Sequence, residues 1–227
     1  MADATPLFYM NCIDTMDGMK KGLDSVVISS GQVLVNGRAL EHESTGSAML
    51  TEIYRAHIAD WPKFFKMDTL SKVGFVASEL LLKERAEVRM GSEEYSSFRA
   101  VMLFGTTASL CADRNYQETI QDAGNYYPSP ALFVYTLPNI VTGEIAIRNH
   151  YRGETQFVVV ERFDAQQMAF HLQNVFQDSV TGSVLAGWVD SSANDDFECF
   201  MTLVDRAEAA DAARLAEQLN EIMDMLK

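Results

Sequence analysis

Gln156-Phe157-Val158-Val159-Val160-Glu161-Arg162-Phe163-Asp164-Ala165-Gln166-Gln167 is the stretch on which the fold turns. Its four consecutive apolar residues, three of them valines, fit a strand over 156–161, because β-branched side chains suit a pleated, packed surface. Asp164 then opens a helix to about residue 177: its carboxylate is placed to accept the free amides of a first turn, and Gln167 sits where a capping-box partner belongs. Ala165, Met168, Ala169, Leu172, Val175 and Phe176 form one apolar stripe of that helix, and the face with Gln166, Gln167, His171, Gln173, Asn174 and Gln177 carries no formal charge. A polar but uncharged face suits partial cover at an interface better than open solvent.

The same alternation extends in both directions. Upstream, a helix is expected over 140–150 and a strand over 98–105 that leaves the sheet through Thr106-Thr107-Ala108-Ser109; a short helix over 114–122 and a rigid loop over 126–130 separate the two. Asp68 caps a helix over 69–85 whose apolar residues occupy more than one face, which means deep burial. A helix over 44–58 ends at Trp61-Pro62, residues 26–28 and 33–35 suggest a small hairpin before Asn36-Gly37, and residues 6–13 read as a first buried strand. Downstream, strands are expected over 180–189 and 197–204 with a turn-rich 190–196 between them. A helix over 207–226 then shows Ala212, Leu215, Leu219, Ile222 and Leu226 at alternating spacings of three and four. No repeat or long linker interrupts 1–227, so one α/β domain with a mixed or mostly parallel sheet is expected, its core at about 5–205.

Composition narrows the partners. The 227 residues carry 18 Lys+Arg against 32 Asp+Glu, a net charge of −14. Nucleic acids and anionic membranes are held by basic surface, so neither is expected as a partner. No run is long and apolar enough to span a bilayer, the first residues lack the pattern of a signal peptide, and a cytoplasmic protein is expected. Cys12, Cys111 and Cys199 are odd in number and form no CxxC pair, which fits reduced thiols; Cys12 and Cys199 lie in apolar runs and read as core. His42, His57, His150 and His171 show no metal-ligand spacing, so neither a metal nor a cofactor is expected. Cys111 paired with His150 or His171 is an alternative thiol–imidazole site, but no motif positions a base beside it and a structural thiol is the expectation. The acidic pairs Glu93-Glu94 and Asp195-Asp196 read as solvated loop faces, and most of the 12 methionines fit core spacing.

Several stretches together resemble a known family. Tyr127 through Val189, with Ser129-Pro130-Ala131-Leu132-Phe133-Val134, Leu137-Pro138-Asn139-Ile140-Val141-Thr142-Gly143-Glu144-Ile145-Ala146-Ile147, Tyr151-Arg152-Gly153-Glu154 and Val184-Leu185-Ala186-Gly187-Trp188-Val189-Asp190, resembles the N-terminal half of β-ketoacyl synthases, the thiolase-like condensing enzymes. Lys66 to Lys72 and Val101 to Thr107 look like the family's early helix and strand end, so the resemblance runs from about Lys66. It is similar above all to short accessory proteins of aryl-polyene and flexirubin-type pigment biosynthesis. The resemblance implies a three-layer α/β/α half of a thiolase-like fold with a five-stranded mixed sheet. It also implies an edge strand that pairs with its twin across a two-fold axis, here through Phe157, Val158, Val159 and Val160.

The departures from the family matter as much. A synthase carries a cysteine at the helix N-terminus after this strand, where the helix dipole favours the thiolate that takes the acyl chain. Here the junction reads Glu161-Arg162-Phe163-Asp164, with Arg162 in the nucleophile position, or Phe163 if one gap is allowed. Neither side chain accepts an acyl group. A counterpart of the second half-domain, which supplies two histidines or a histidine and an asparagine to stabilise carbanion and oxyanion, is not expected within these 227 residues. The resemblance therefore implies a non-catalytic, chain-length-factor-like accessory protein in fatty-acid or polyene biosynthesis, a homodimer or a heterodimer with a ketosynthase. An acyl carrier protein is a further partner, although carriers are acidic and dock on basic patches, which a −14 chain must segregate to offer. Arg162 and His171 are the candidate binding residues, with Arg162 either a plug that holds a carboxylate or a pantetheine phosphate, or neutralised by Glu161 and Asp164. The alternative is an enzyme, a residual acyltransferase of the 3-oxoacyl-carrier-protein synthase type or a thioesterase, that uses Cys111 or groups around Arg162.

Overall fold

The computed structural model describes residues 22–84, 98–124 and 126–227. The strand expected over 6–13, Cys12 and the Glu93-Glu94 pair lie outside the described residues. Among those described, the strands are β1 (Ser25–Ser29), β2 (Gln32–Val35), β3 (Arg38–Ala39), β4 (Arg99–Gly105), β5 (Thr155–Val159), β6 (Ser183–Ala193) and β7 (Asp196–Asp205), joined in one sheet of order β3-β2-β1-β7-β6-β4-β5. β4 runs parallel to both β5 and β6, and every other neighbour pair is antiparallel. The sheet is mixed, as expected, but it has seven strands where five were expected. The count of five belongs to the resemblance; the hairpin read over 26–28 and 33–35 joins the sheet through β1 and β7, and the two-residue β3, too short to show a periodicity, extends it further.

The helices are α1 (Gly46–His57), α2 (Thr69–Glu84), α3 (Leu110–Glu118), α4 (Pro130–Val134), α5 (Ile140–Asn149), α6 (Ala165–Val175), α7 (Arg206–Ala209) and α8 (Ala212–Asp224), with a 3-10 turn at Pro62–Lys66. Strand alternation divides them into two layers. Val101 and Leu103 of β4, with Leu185 and Val189 of β6, point to a core built with α1, α2 and α5. Ala100, Met102 and Phe104, with Val184, Ala186 and Trp188, point to a second core under α6 and α8, where Met168, Leu172, Leu215 and Leu219 pack. All seven residues of β4 are buried, which is the mark of a strand covered on both faces.

Several local expectations change. The helix expected over 114–122 lies at Leu110–Glu118. The loop expected over 126–130 runs into α4, which Ser129 caps by accepting from the Leu132 amide (3.3 Å) with Pro130 in the first turn. The turn expected over 190–196 shrinks to Asn194-Asp195, because β6 and β7 stay paired past a register shift between Ser191 and Ala193. The helix expected over 207–226 is two: Asp211 interrupts it by capping α8 through the Arg214 amide (3.1 Å), and the reciprocal capping box belongs to α7, where Glu208 accepts from the Asp205 amide (2.7 Å). Asp68 caps α2 as expected, accepting from the Ser71 amide (3.0 Å).

Two buried polar groups tie the α2–α5 layer together. Arg148 of α5 reaches Glu79 of α2 through two nitrogens (3.1 and 2.9 Å) and Asp60 through a third contact (2.5 Å), with Trp61 beneath its guanidinium at 5.1 Å. Glu144, one turn earlier, meets Lys63 (2.8 Å) and accepts from the Tyr135 hydroxyl (3.4 Å). Burial first, and the Glu144 charge second, push the Tyr135 phenol up to about 12. The folded state holds this proton more tightly than the unfolded chain, whose tyrosines titrate near 10. The stabilisation is complete below about pH 10 and is lost as pH rises to about 12, on the order of 2 kcal/mol in all. Urea denaturation from pH 8 to 12 checks this: Tyr135→Phe flattens the alkaline limb, and an unchanged limb would rule the assignment out.

Candidate functional site

Because β4, β5 and β6 are parallel, their carboxyl ends lie on one rim of the sheet, the end at which open α/β sheets place ligands. The β5–α6 junction lies on this rim, anchored where the Val160 amide donates to the Gly105 carbonyl (3.0 Å). Glu161 and Arg162 are exposed. Phe163 turns inward, its ring edge-on to Trp188 at 5.5 Å and to Phe200 at 6.1 Å. Asp164 caps α6 with one oxygen, accepting from the amides of Gln166 (2.9 Å) and Gln167 (3.0 Å). The cap is thus Asp164's alone and not the capping box expected with Gln167.

Among the described residues Arg162 makes no ion pair or hydrogen bond, and Asp164 is committed to the helix amides. The consequence for chemistry is direct: the positive end of α6, which would favour a thiolate or an oxyanion, is answered by a carboxylate of the same chain.

A second cluster on the rim was not singled out from the sequence. Asp190, only 7% exposed in the last third of β6, accepts from the amide (2.8 Å) and hydroxyl (2.7 Å) of Thr107 on one oxygen and from the hydroxyl of Thr106 (2.7 Å) on the other. The Thr106 amide is shared by both oxygens (2.8 and 3.0 Å). Gly105 permits this approach: a Cβ there would stand 2.3 Å from the Val189 carbonyl oxygen and 2.9 Å from Asp190 Oδ1. The Ser191 amide completes the tie by donating to the Thr107 hydroxyl (3.1 Å). A surface cleft of about 460 Å³ opens beside it, lined by Ser29, Ser30, Thr107, Asp190, Ser192 and Glu198 among others. Its carboxylates are not grouped to hold an ion, and among the described residues no three His, Cys, Asp or Glu side chains are so grouped.

The two thiol–imidazole pairs considered from the sequence do not form. Cys111 follows the carboxyl end of β4, whereas His150 precedes β5 at the opposite end, where Gly153 lies against the Arg99 carbonyl. The length of β4, seven residues or about 20 Å, separates them. His171 is across the sheet on α6, its ring 5.8 Å from those of Phe104 and Phe170. The Cys111 thiol instead donates to Asn194 Oδ1 at 3.3 Å, and burial pushes its pKa up, the wrong direction for a nucleophile. Cys199 is fully buried and shifted the same way.

β5 is the last strand of the sheet on its side. Phe157 packs toward the α2–α5 core, Val158 and Val160 pack toward the α6–α8 core, and Val159 is 55% exposed. On α6, Phe170 is exposed and His171 half-buried, and α8 packs alongside.

No protein-family model matches the sequence, and no curated protein matches it. Solved structures do. The ishigamide ketosynthase/chain length factor superposes with a TM-score of 0.58 at 18% identity, over 84% of this chain and 63% of that one. A ketosynthase in complex with its chain length factor from Xenorhabdus doucetiae gives 0.52 at 14% identity, over 82% and 80%. A type II polyketide synthase acyl-carrier protein in complex with its ketosynthase bound to the hexaketide gives 0.51 at 12%, over 83% and 63%. The fold is related to that of the thiolase-like condensing enzymes. At these identities the likeness concerns the fold, and the chain spans less than two thirds of the length of two of the three structures it matches. The three-layer α/β architecture expected of the condensing enzymes is therefore present, with a larger sheet. Among the described residues no helix is long and apolar enough to cross a membrane.

Proposed function

We propose that this protein is a non-catalytic, ketosynthase-like accessory protein of the chain-length-factor kind, acting in fatty-acid or polyene biosynthesis by pairing with itself or with an active synthase. The β5–α6 junction carries the reading. On the resemblance Arg162 stands in the position where a condensing enzyme keeps its thiol; it is exposed, its neighbour Phe163 packs into the core, and Asp164 occupies the helix amides. A condensing reaction needs a nucleophile and oxyanion stabilisation, and this junction supports neither.

Two experiments test this. Incubation with an acyl thioester or a cerulenin-type electrophile, read by intact mass, yields no stoichiometric adduct; a single adduct on Cys111 would favour the acyltransferase or thioesterase instead. Purification of the tagged protein from its own cells, with native mass and identification of bound chains, brings a condensing enzyme along in fixed stoichiometry. Its absence, with no self-association either, would sink the accessory reading.

A further inference from the structure

The turn that leaves β4 has the build of an anion receptor. Two consecutive residues, Thr106 and Thr107, aim four donors at one carboxylate: both amides and both hydroxyls lie 2.7–3.0 Å from the oxygens of Asp190. Oδ1 accepts from three of them and Oδ2 from two, the Thr106 amide being shared. Gly105 precedes them, and only a residue without a side chain lets the backbone come this close to the carboxylate. Ala108 follows in the left-handed region (φ 49°), which alanine seldom adopts, so tertiary structure holds the turn in a shape that its own sequence disfavours. Successive amides that converge in such a turn form the concave nest by which backbone binds anions.

We infer that the Thr106-Thr107 turn is a carboxylate receptor which Asp190 keeps occupied from within, and that a small free carboxylate takes the place of the Asp190 side chain when that side chain is cut back. The four donors are neutral, so they answer the shape and lone pairs of a carboxylate and bring no counter-charge of their own. Left without an acceptor in a buried place, they supply the drive to take one up. The way in is the cleft of about 460 Å³, whose wall includes both Thr107 and Asp190.

Size and charge set the class of ligand. Truncation of Asp190 to alanine removes one carbon and two oxygens, the same heavy atoms that make up formate. Truncation to glycine removes the Cβ as well, and acetate replaces it. Asp196 and Glu198 on the cleft wall, which no lysine or arginine lines, work against any anion, so the receptor takes small carboxylates only when they are concentrated. While Asp190 is in place, no outside carboxylate or phosphate enters the turn.

Thermal melts of the full-length Asp190→Ala protein in sodium formate and in sodium chloride of equal concentration test this. With formate at about ten times its dissociation constant, the midpoint of Asp190→Ala rises by about 3–6 °C over that in chloride. The wild type, whose receptor is filled, and Asp190→Asn, whose carboxamide fills it, melt alike in the two salts. Asp190→Gly responds more to acetate than to formate, and Asp190→Ala the other way round. Equal midpoints for Asp190→Ala in formate and chloride overturn the inference, and so does an equal gain in the wild type, which would be an effect of the salt on any protein. Where Asp190→Ala does not fold in chloride, recovery of its native circular dichroism in formate supports the receptor, and failure in both salts overturns it. None of these results depends on whether the protein pairs with a synthase.

Discussion

Replacing Asp190 with Ala lowers the thermal midpoint by about 10 °C, the largest effect expected of any single change on the rim. Asp190 is buried, and both the amides and the hydroxyls of Thr106 and Thr107 converge on its two oxygens. Hydrogen bonds to a charged acceptor contribute about 1.5–3 kcal/mol each, and donors left without one in a buried site cost more than the bonds gave. A loss of about 3–5 kcal/mol corresponds to roughly 6–20 °C for a domain of this size. Asp190→Asn keeps one acceptor oxygen and loses about half as much. Circular-dichroism melts of the two variants read the difference, and equal melts for Asp190→Ala and wild type would show that the cluster is solvated and not structural. The rim itself moves with it: Thr106 and Thr107 form the exit of β4, next to the carbonyl that anchors the β5–α6 junction.

Arg148→Met gives the second large effect, a loss of about 3–5 kcal/mol. The guanidinium is the cation between Glu79 and Asp60, and it stacks on Trp61. Its removal leaves buried carboxylate without that counter-charge, which costs far more than a surface pair returns. The double variant Glu79→Gln with Arg148→Met recovers part of the loss, since a neutral amide needs no guanidinium. A double-mutant cycle by urea denaturation measures the coupling; strictly additive losses would mean that Arg148 acts through packing alone. Because α2 and α5 are the elements joined, the variant also loosens the layer beneath β4 and β5.

What the sequence discloses follows the range of the forces involved. β4, β5, α2, α5 and α6 were legible because each carries its own periodicity or cap, as with Asp68 and Asp164. α4 was hidden by Pro128 and Pro130, which read as loop although Ser129-Pro130 is a start signal for a helix. The continuation of β6 through Ser191, Ser192 and Ala193 was hidden by small polar side chains whose strand geometry depends on tertiary bonds such as Ser191 to Thr107. The β5–α6 junction was located from the sequence because strand, Arg162 and capping carboxylate are consecutive. The Asp190 cluster was not, since its partners lie 83 and 84 residues away. Its only local trace is an aspartate at a strand end and, far upstream, Gly105-Thr106-Thr107, a turn of hydroxyls after a residue without a side chain.

The cap at Asp164 also decides how reversible the junction is. A cysteine installed at Arg162 or Phe163 would not inherit the acidity that a helix N-terminus ordinarily lends a thiol, because a carboxylate already sits on the amides of Gln166 and Gln167. A thiol there would titrate at or above the free value of about 8.5, so that only a few per cent of it is thiolate at neutral pH. Removing Asp164 first would free the amides but also unravel the first turn of α6, so recovery of a reactive centre asks for two coordinated changes, the first of which is harmful by itself.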